Sequence, residues 1–250
     1  MTTQNLADLP ISPGRLTALN RFSASLQQLL KDNLVSISLY GSILRSDFIS
    51  GRSDLNLLVI TRKLTLEDLK TVCDECSTAK SLGLSPFFMT REDLETSADV
   101  FPIKFMAMQE RRRVVFGADV LADIRIQPTY VRLRCEQEIK NLLLRLRTSY
   151  LRQEGHDLIA IMWALGTSLR ETLRLALSLT PDGLLEREEV IVRAAARFGF
   201  NAEPVLLVLA FRERECDLTT EEAERLYGEL MEAVTIMARA IDKLSPETRG

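Results

Sequence analysis

Gly41-Ser42 closes a run of alternating apolar residues, and after eleven further residues Asp54-Leu55-Asn56-Leu57 opens another. A glycine at the end of a strand lets a phosphate approach the backbone closely. If a helical turn follows, its first amides can bind an anion, and the Ser42 hydroxyl can donate to a phosphate oxygen. On the next strand, residues 54 and 56 project to the same side because strand side chains alternate. A pair of carboxylates there would hold Mg²⁺ ions bridging a triphosphate, the arrangement that serves in-line phosphoryl transfer. This chain has Asp54 at the first place and Asn56 at the second, with Leu55 and Leu57 turned to the core.

The elements that must position these residues follow from periodicity. Ser12-Pro13 predicts a helix start, and Leu16, Leu19, Phe22, Leu26, Leu29 and Leu30 recur at helical spacing, so residues 13 to 32 read as an amphipathic helix. Leu34 to Tyr40 alternates, with Val35, Ile37 and Leu39 on one face and two serines on the other, which predicts a strand. Ser42 to Asp47 suits a short helical turn, Ser50-Gly51-Arg52-Ser53 a loop turn, and Leu55 to Ile60 a second strand. Leu64 to Leu82 returns to helical spacing with Thr65 as cap and Gly83 as stop. Leu84 to Met89, interrupted by Pro86, predicts a third strand. Short helices are expected over 91–94 and 102–109 and a last strand over 114–116. From Gln127-Pro128 onward only helical periods remain, at roughly 129–153, 156–179, 186–198, 203–214 and 220–244. The organisation expected is an α+β domain over residues 1–125 and an all-α helical bundle over 126–250.

Composition narrows the function classes. The chain has 250 residues, 46% hydrophobic and 27% charged, as globular proteins do. A formal charge of −3 gives no strong nucleic-acid signal, since neutralising phosphates needs a basic surplus. The start, Met1-Thr2-Thr3-Gln4-Asn5, has no signal-peptide pattern, and no uncharged apolar run approaches the ~20 residues of a membrane span. A cytoplasmic chain is therefore expected. Cys73 and Cys76 form a C-x-x-C within a helical pattern, with no second pair at zinc spacing; Cys135 and Cys216 stand apart. No Ser-His-Asp or Cys-His nucleophile set is visible, and His156 is the single histidine.

The stretch Leu39-Tyr40-Gly41-Ser42 … Ser53-Asp54-Leu55-Asn56-Leu57-Leu58-Val59 resembles the signature of the DNA polymerase β-like nucleotidyltransferase superfamily, nearest to its bacterial aminoglycoside and minimal nucleotidyltransferase branch. Phe101-Pro102-Ile103-Lys104-Phe105 … Arg113-Val114-Val115-Phe116-Gly117 resembles the short helix and strand that close that branch's catalytic domain. The resemblance implies a mixed sheet flanked by helices, and Mg²⁺-dependent transfer of a nucleoside monophosphate from an NTP to an acceptor. Carried over by position, Gly41 and Ser42 match the triphosphate-contacting pair and Asp54 the first metal carboxylate. Asn56 stands in place of the second. The third carboxylate is expected on the strand over 84–89, which offers Ser85 and Pro86 but no acid, with Glu92 and Asp93 beyond it.

An amide at position 56 brings no negative charge, and nothing obvious on the third strand deprotonates an acceptor hydroxyl. The first expectation is a divergent protein of this fold with weak or lost transfer and residual nucleotide binding. The alternatives are an active enzyme using other acids on a small-molecule, RNA or protein hydroxyl, and a non-enzymatic interaction module. In the last, the helical half meets a protein partner or a second copy of the chain. Arg45 either faces the triphosphate or is a solvated turn residue, and Arg111-Arg112-Arg113 either clamps phosphate or is a solvated run. Arg134, Glu138, Asn141, Arg145 and Arg152 share one helical stripe, suited to phosphates, to an acidic partner or to solvent alone. Trp163, with Leu158, Met162, Leu165 and Leu169, reads as bundle core.

Overall fold

In the computed structural model of the chain, the first helix starts where Ser12 and Pro13 place it. The Arg15 amide donates to Ser12 Oγ (3.4 Å), Pro13 takes the first turn, and α1 runs Pro13–Leu30. Residues 6, 9–44, 54–152, 158–166, 168–186, 189–210 and 218–245 are described. Arg45, the Ser50–Ser53 turn, His156 and Cys216 lie outside the described residues, as do the side chains of Ser42, Trp163 and Leu165.

Four strands follow: β1 Leu34–Tyr40, β2 Leu55–Thr61, β3 Leu84–Thr90 and β4 Arg112–Gly117. They form one mixed sheet in the order β3-β2-β1-β4, with β1 antiparallel to both β2 and β4 and β2 parallel to β3. The crossover from β2 to β3 is α2, Leu66–Ser81, started by a reciprocal cap. The Asp68 amide donates to Thr65 Oγ1 (3.2 Å) and the Thr65 amide to Asp68 Oδ2 (2.8 Å). Pro86 fits in β3 because β3 is an edge strand, where a missing N–H leaves no ladder bond broken on the open side.

The alternation of β2 splits the core in two. Leu55, Leu57 and Val59 pack with Leu19, Leu26, Val72 and Ala79, so α1 and α2 cover one face. Leu58 and Ile60 pack on the other face with Leu94, Phe105 and Met108, contributed by α3 (Arg91–Thr96) and α4 (Pro102–Glu110). Val35 departs from the simple alternation expected of β1. It packs with the second group while Ile37 and Leu39 belong to the first, because the β1–β2 register shifts between Leu34 and Ser36. Ser36 is buried and donates to the Ala118 carbonyl (2.6 Å). Strand β4 begins two residues before the expected Val114.

Met1–Ile126 form one compact unit and Gln127–Gly250 a second. In the second, α5 (Pro128–Arg152) packs against α10 (Thr220–Asp242) and α7 (Leu169–Ser178). Tyr227 donates to the Leu146 carbonyl (2.7 Å), and Arg132 and Lys140 both pair with Glu136. The single helix expected over 156–179 is instead α6 (Leu158–Gly166) and α7. Glycine is the most costly ordinary residue to hold in a helix interior, and the break falls just past Gly166. Helices α8 (Val190–Phe198) and α9 (Glu203–Ala210) complete the described part of this unit. Among the described residues no helix is long and apolar enough to cross a membrane.

Gly117 ends β4 at φ +80°, and a Cβ there would meet the Val35 carbonyl oxygen at 2.1 Å. Gly117→Ala should therefore cost about 2 kcal/mol or more in urea unfolding followed by circular dichroism. Gly14→Ala, in the first turn of α1 with nothing within 4 Å of its Cβ, should be neutral or stabilising by up to about 1 kcal/mol. Equal effects at the two positions would contradict this account of the β1–β4 contact.

Candidate functional site

The register brings Asn56, Ser85 and Arg112 to one end of the sheet. Asn56 lies opposite Tyr40 on β1 and beside Ser85 on β3, and Tyr40 lies opposite Arg112 on β4. Ser85, Asn56, Tyr40 and Arg112 thus form one row across all four strands. The row sits at the carboxyl end of β1 and the amino ends of the other three. Tyr40 packs against the group formed with α3 and α4, which places the row on that face. Burial raises the Tyr40 phenol above its ordinary range.

Gly41 follows Tyr40 directly at φ +92°, a conformation that L side chains rarely adopt. A Cβ on Gly41 would stand 3.2 Å from Asn56 Nδ2, so the Asn56 amide lies close against the Gly41 backbone. The chain then turns through a single 3₁₀ turn, Ser42–Leu44, with the Leu44 amide donating to the Gly41 carbonyl (3.1 Å). Asp54, two residues before Asn56, is exposed at the start of β2. Among the described residues the side chains of Asp54, Asn56 and Ser85 make no hydrogen bond or ion pair. Gly41 and Asn56 are therefore in close contact, with Asp54 two residues before Asn56, whereas Arg45 and the Ser42 side chain lie outside the described residues.

The acids beyond β3 are accounted for differently. Asp93 closes a reciprocal cap at the start of α3: the Thr90 amide donates to Asp93 Oδ2 (2.9 Å) and the Asp93 amide to Thr90 Oγ1 (2.9 Å). These bonds, the Thr90 amide first, hold the Asp93 carboxyl below its ordinary range. Arg112 is also occupied. It makes two bonds to Asp119 (2.7 and 2.8 Å) and one to the Gln109 carbonyl, so this member of the arginine run braces the segment after β4. Arg111 pairs with Glu110 (3.5 Å). In the helical unit the stripe on α5 pairs within itself, Arg134 with Glu138 at 2.5 Å.

Lys104 was not among the residues singled out by spacing. From α4 its Nζ stands 3.4 Å over the ring centroid of Phe87. Phe87 is beside Leu58, one row inward from Ser85 and Asn56 on the same face. Burial lowers the Lys104 ammonium below its ordinary range, and no described carboxylate bonds to it. Only the pairing of β3 with α4 reveals this proximity, since Lys104 lies seventeen positions past Phe87 in the chain.

Among the described residues no three His, Cys, Asp or Glu side chains converge as a metal site. Cys73 is exposed on α2 and Cys76 is partly buried, with burial pushing its thiol up to about 11. Cys135 is buried, likewise pushed up to about 12, and approaches the Thr172 carbonyl at 3.6 Å.

No protein-family model matches the sequence, and no curated protein sequence does either. A solved structure similar to the chain is the spectinomycin adenyltransferase AAD(9) from Enterococcus faecialis, determined with ATP and spectinomycin. The TM-score is 0.54 at 14% identity, over 88% of this chain and 99% of that one. At that identity the likeness is one of fold. The architecture is the α+β nucleotidyltransferase type, a mixed sheet flanked by helices with a helical region following.

The cap on α3 is testable apart from any ligand. Thr90→Ala should lower stability by about 1 kcal/mol near neutral pH. The Asp93 pKa is depressed on folding, so its contribution is present above the ordinary value of 3.8 and is lost as pH falls through the lower folded value. The gap between the variant and the parent should accordingly narrow in urea unfolding below about pH 4. A gap that widens in acid would contradict the assignment of Asp93 as a cap.

Proposed function

We propose that the first unit binds a nucleotide at the Gly41–Asn56 end of its sheet, with nucleotidyl transfer weak or lost. The observation that carries the reading is Gly41 at positive φ, packed against Asn56, with the exposed Asp54 two residues away. In support, the fold is shared with an adenyltransferase solved with ATP. Gly41 has no side chain to hold a phosphate off the backbone, and Ser42 begins a turn whose amides suit an oxyanion. Arg45 belongs to the proposal as a further phosphate contact from the segment after that turn.

A divalent ion in such a site would neutralise the triphosphate and polarise the reacting phosphorus. The residues present do not fit a pair of them. Asp54 is the one carboxylate in the described row or adjoining it; Asn56 offers a neutral amide oxygen, and Ser85 a hydroxyl where a third acid is expected. Beyond the triphosphate's own oxygens, two Mg²⁺ ions would find that single carboxylate among the described residues. No acid on β3 is placed to take the proton of an acceptor hydroxyl, and Asp93 is engaged as a cap. What the chain retains is the means to seat phosphates, with little of the means to activate an acceptor.

The test is a titration of the full chain with ATP followed by calorimetry, beside a radiolabelled transfer assay with each of the four NTPs. The expected result is saturable ATP binding, lost in Gly41→Val, with turnover below about 10⁻³ s⁻¹, far under the usual 1–10³ s⁻¹. Transfer at ordinary enzymatic rates would contradict the weak-transfer reading. ATP binding that Gly41→Val leaves untouched would place the nucleotide elsewhere.

A further inference from the structure

We propose that Lys104 supplies the positive charge for the phosphates at this site, so that nucleotide binds there without a divalent metal ion. The inference rests on the nucleotide reading above and concerns how the same site compensates charge. Lys104 is held in place through its contact with the Phe87 ring, 3.4 Å from Nζ to the centroid, as a cation over an aromatic face is. Phe87 is two residues along β3 from Ser85, about 7 Å, and neighbouring strands are about 5 Å apart, so Phe87 stands roughly 8 Å from Asn56. A flexible lysine head on that scaffold is within reach of a phosphate resting on the Ser85–Asn56 row.

Among the described residues no carboxylate compensates the ammonium. Helix α4 has no acid in its first turn, and its N-cap, Phe101, offers no side-chain acceptor to the first amides. Lys104 forms no ion pair among the described residues, while Arg112, on the same row, is already matched by Asp119. The lowered Lys104 pKa agrees, since it marks a charge partly stripped of water without a counter-ion. The same cation is an adverse neighbour for Mg²⁺. Beside the matched Arg112–Asp119 pair, the described residues near the row add one cation, Lys104, and one carboxylate, Asp54, a poor cage for a divalent ion and an acceptable one for a phosphate anion.

The two modes predict opposite effects at Asp54. If a metal ion bridges Asp54 to the phosphates, Asp54→Asn weakens binding. If the phosphates meet Lys104 directly, Asp54 repels them and Asp54→Asn strengthens binding.

The experiment is calorimetric titration of the full chain with ATP, in excess Mg²⁺ and in EDTA, on the parent and three variants. The expected dissociation constant in EDTA is within about threefold of that in Mg²⁺, or tighter. Lys104→Met should weaken binding in EDTA by about tenfold, the scale of one charge-assisted contact, with little change in melting temperature because Met keeps an apolar chain over the Phe87 ring. Lys104→Arg should stay within about threefold of the parent, and Asp54→Asn should bind more tightly. Binding that appears only with Mg²⁺, or that weakens in Asp54→Asn, overturns the inference and leaves the nucleotide reading standing. Binding indifferent to Lys104→Met overturns it as well, whatever the metal dependence. Absence of ATP binding in both buffers defeats this inference and the nucleotide reading together.

Discussion

Leu55, Leu57 and Val59 are buried against α1 and α2, and Leu58 and Ile60 against α3 and α4, so β2 cannot slip by one residue without exchanging its two faces. That constraint holds the open end of the sheet. It sets Asn56 opposite Tyr40 and against Gly41, puts Ser85 beside Asn56, and leaves Asp54 exposed at the start of β2. The row is thus a consequence of core packing several residues away. The second constraint is at the other end of β1, where the β1–β4 ladder requires a side-chain-free residue at 117.

Electrostatics then decide what such a row can hold. An ammonium beside the row opposes a divalent ion there, at an effective dielectric constant of about 20, with an energy that grows as the two approach. Asp54 is the one described carboxylate adjoining the row that could offset this. A phosphate dianion in the metal's place reverses both signs: it is attracted by Lys104 and repelled by Asp54. The Arg112–Asp119 pair adds little net charge, since its guanidinium is matched by a carboxylate and also bonded to the Gln109 carbonyl. On the proposed reading, the cation that meets the phosphates is Lys104, which α4 holds across the face of Phe87.

Much of this arrangement could be read from the chain. The alternation of Leu55 to Ile60, the serine, threonine and proline signals that begin α1 and α2, and the Gly41-Ser42 turn are local patterns, and the structure carries each of them. The departures come from non-local causes. Val35 changes faces because the register shifts in the β1–β2 ladder, which depends on a partner strand twenty residues away. Helix 156–179 divides where hydrophobic periodicity continues through a glycine. Asp93 looks like a spare acid in the sequence and is a capping residue in the fold. Lys104 was legible only as part of a resembling segment. Its relation to Asn56 arises from β3 lying beside β2 and α4 packing over both, and no periodicity within one element encodes that.

The most direct test is a crystal structure of the full chain grown with a non-hydrolysable ATP analogue in EDTA. The account predicts phosphate density against the Gly41 backbone and on the Ser85–Asn56 row, with Lys104 Nζ within about 3 Å of a phosphate oxygen. A fully occupied analogue bound away from this row, or phosphates on the row with Lys104 turned from them, would contradict it.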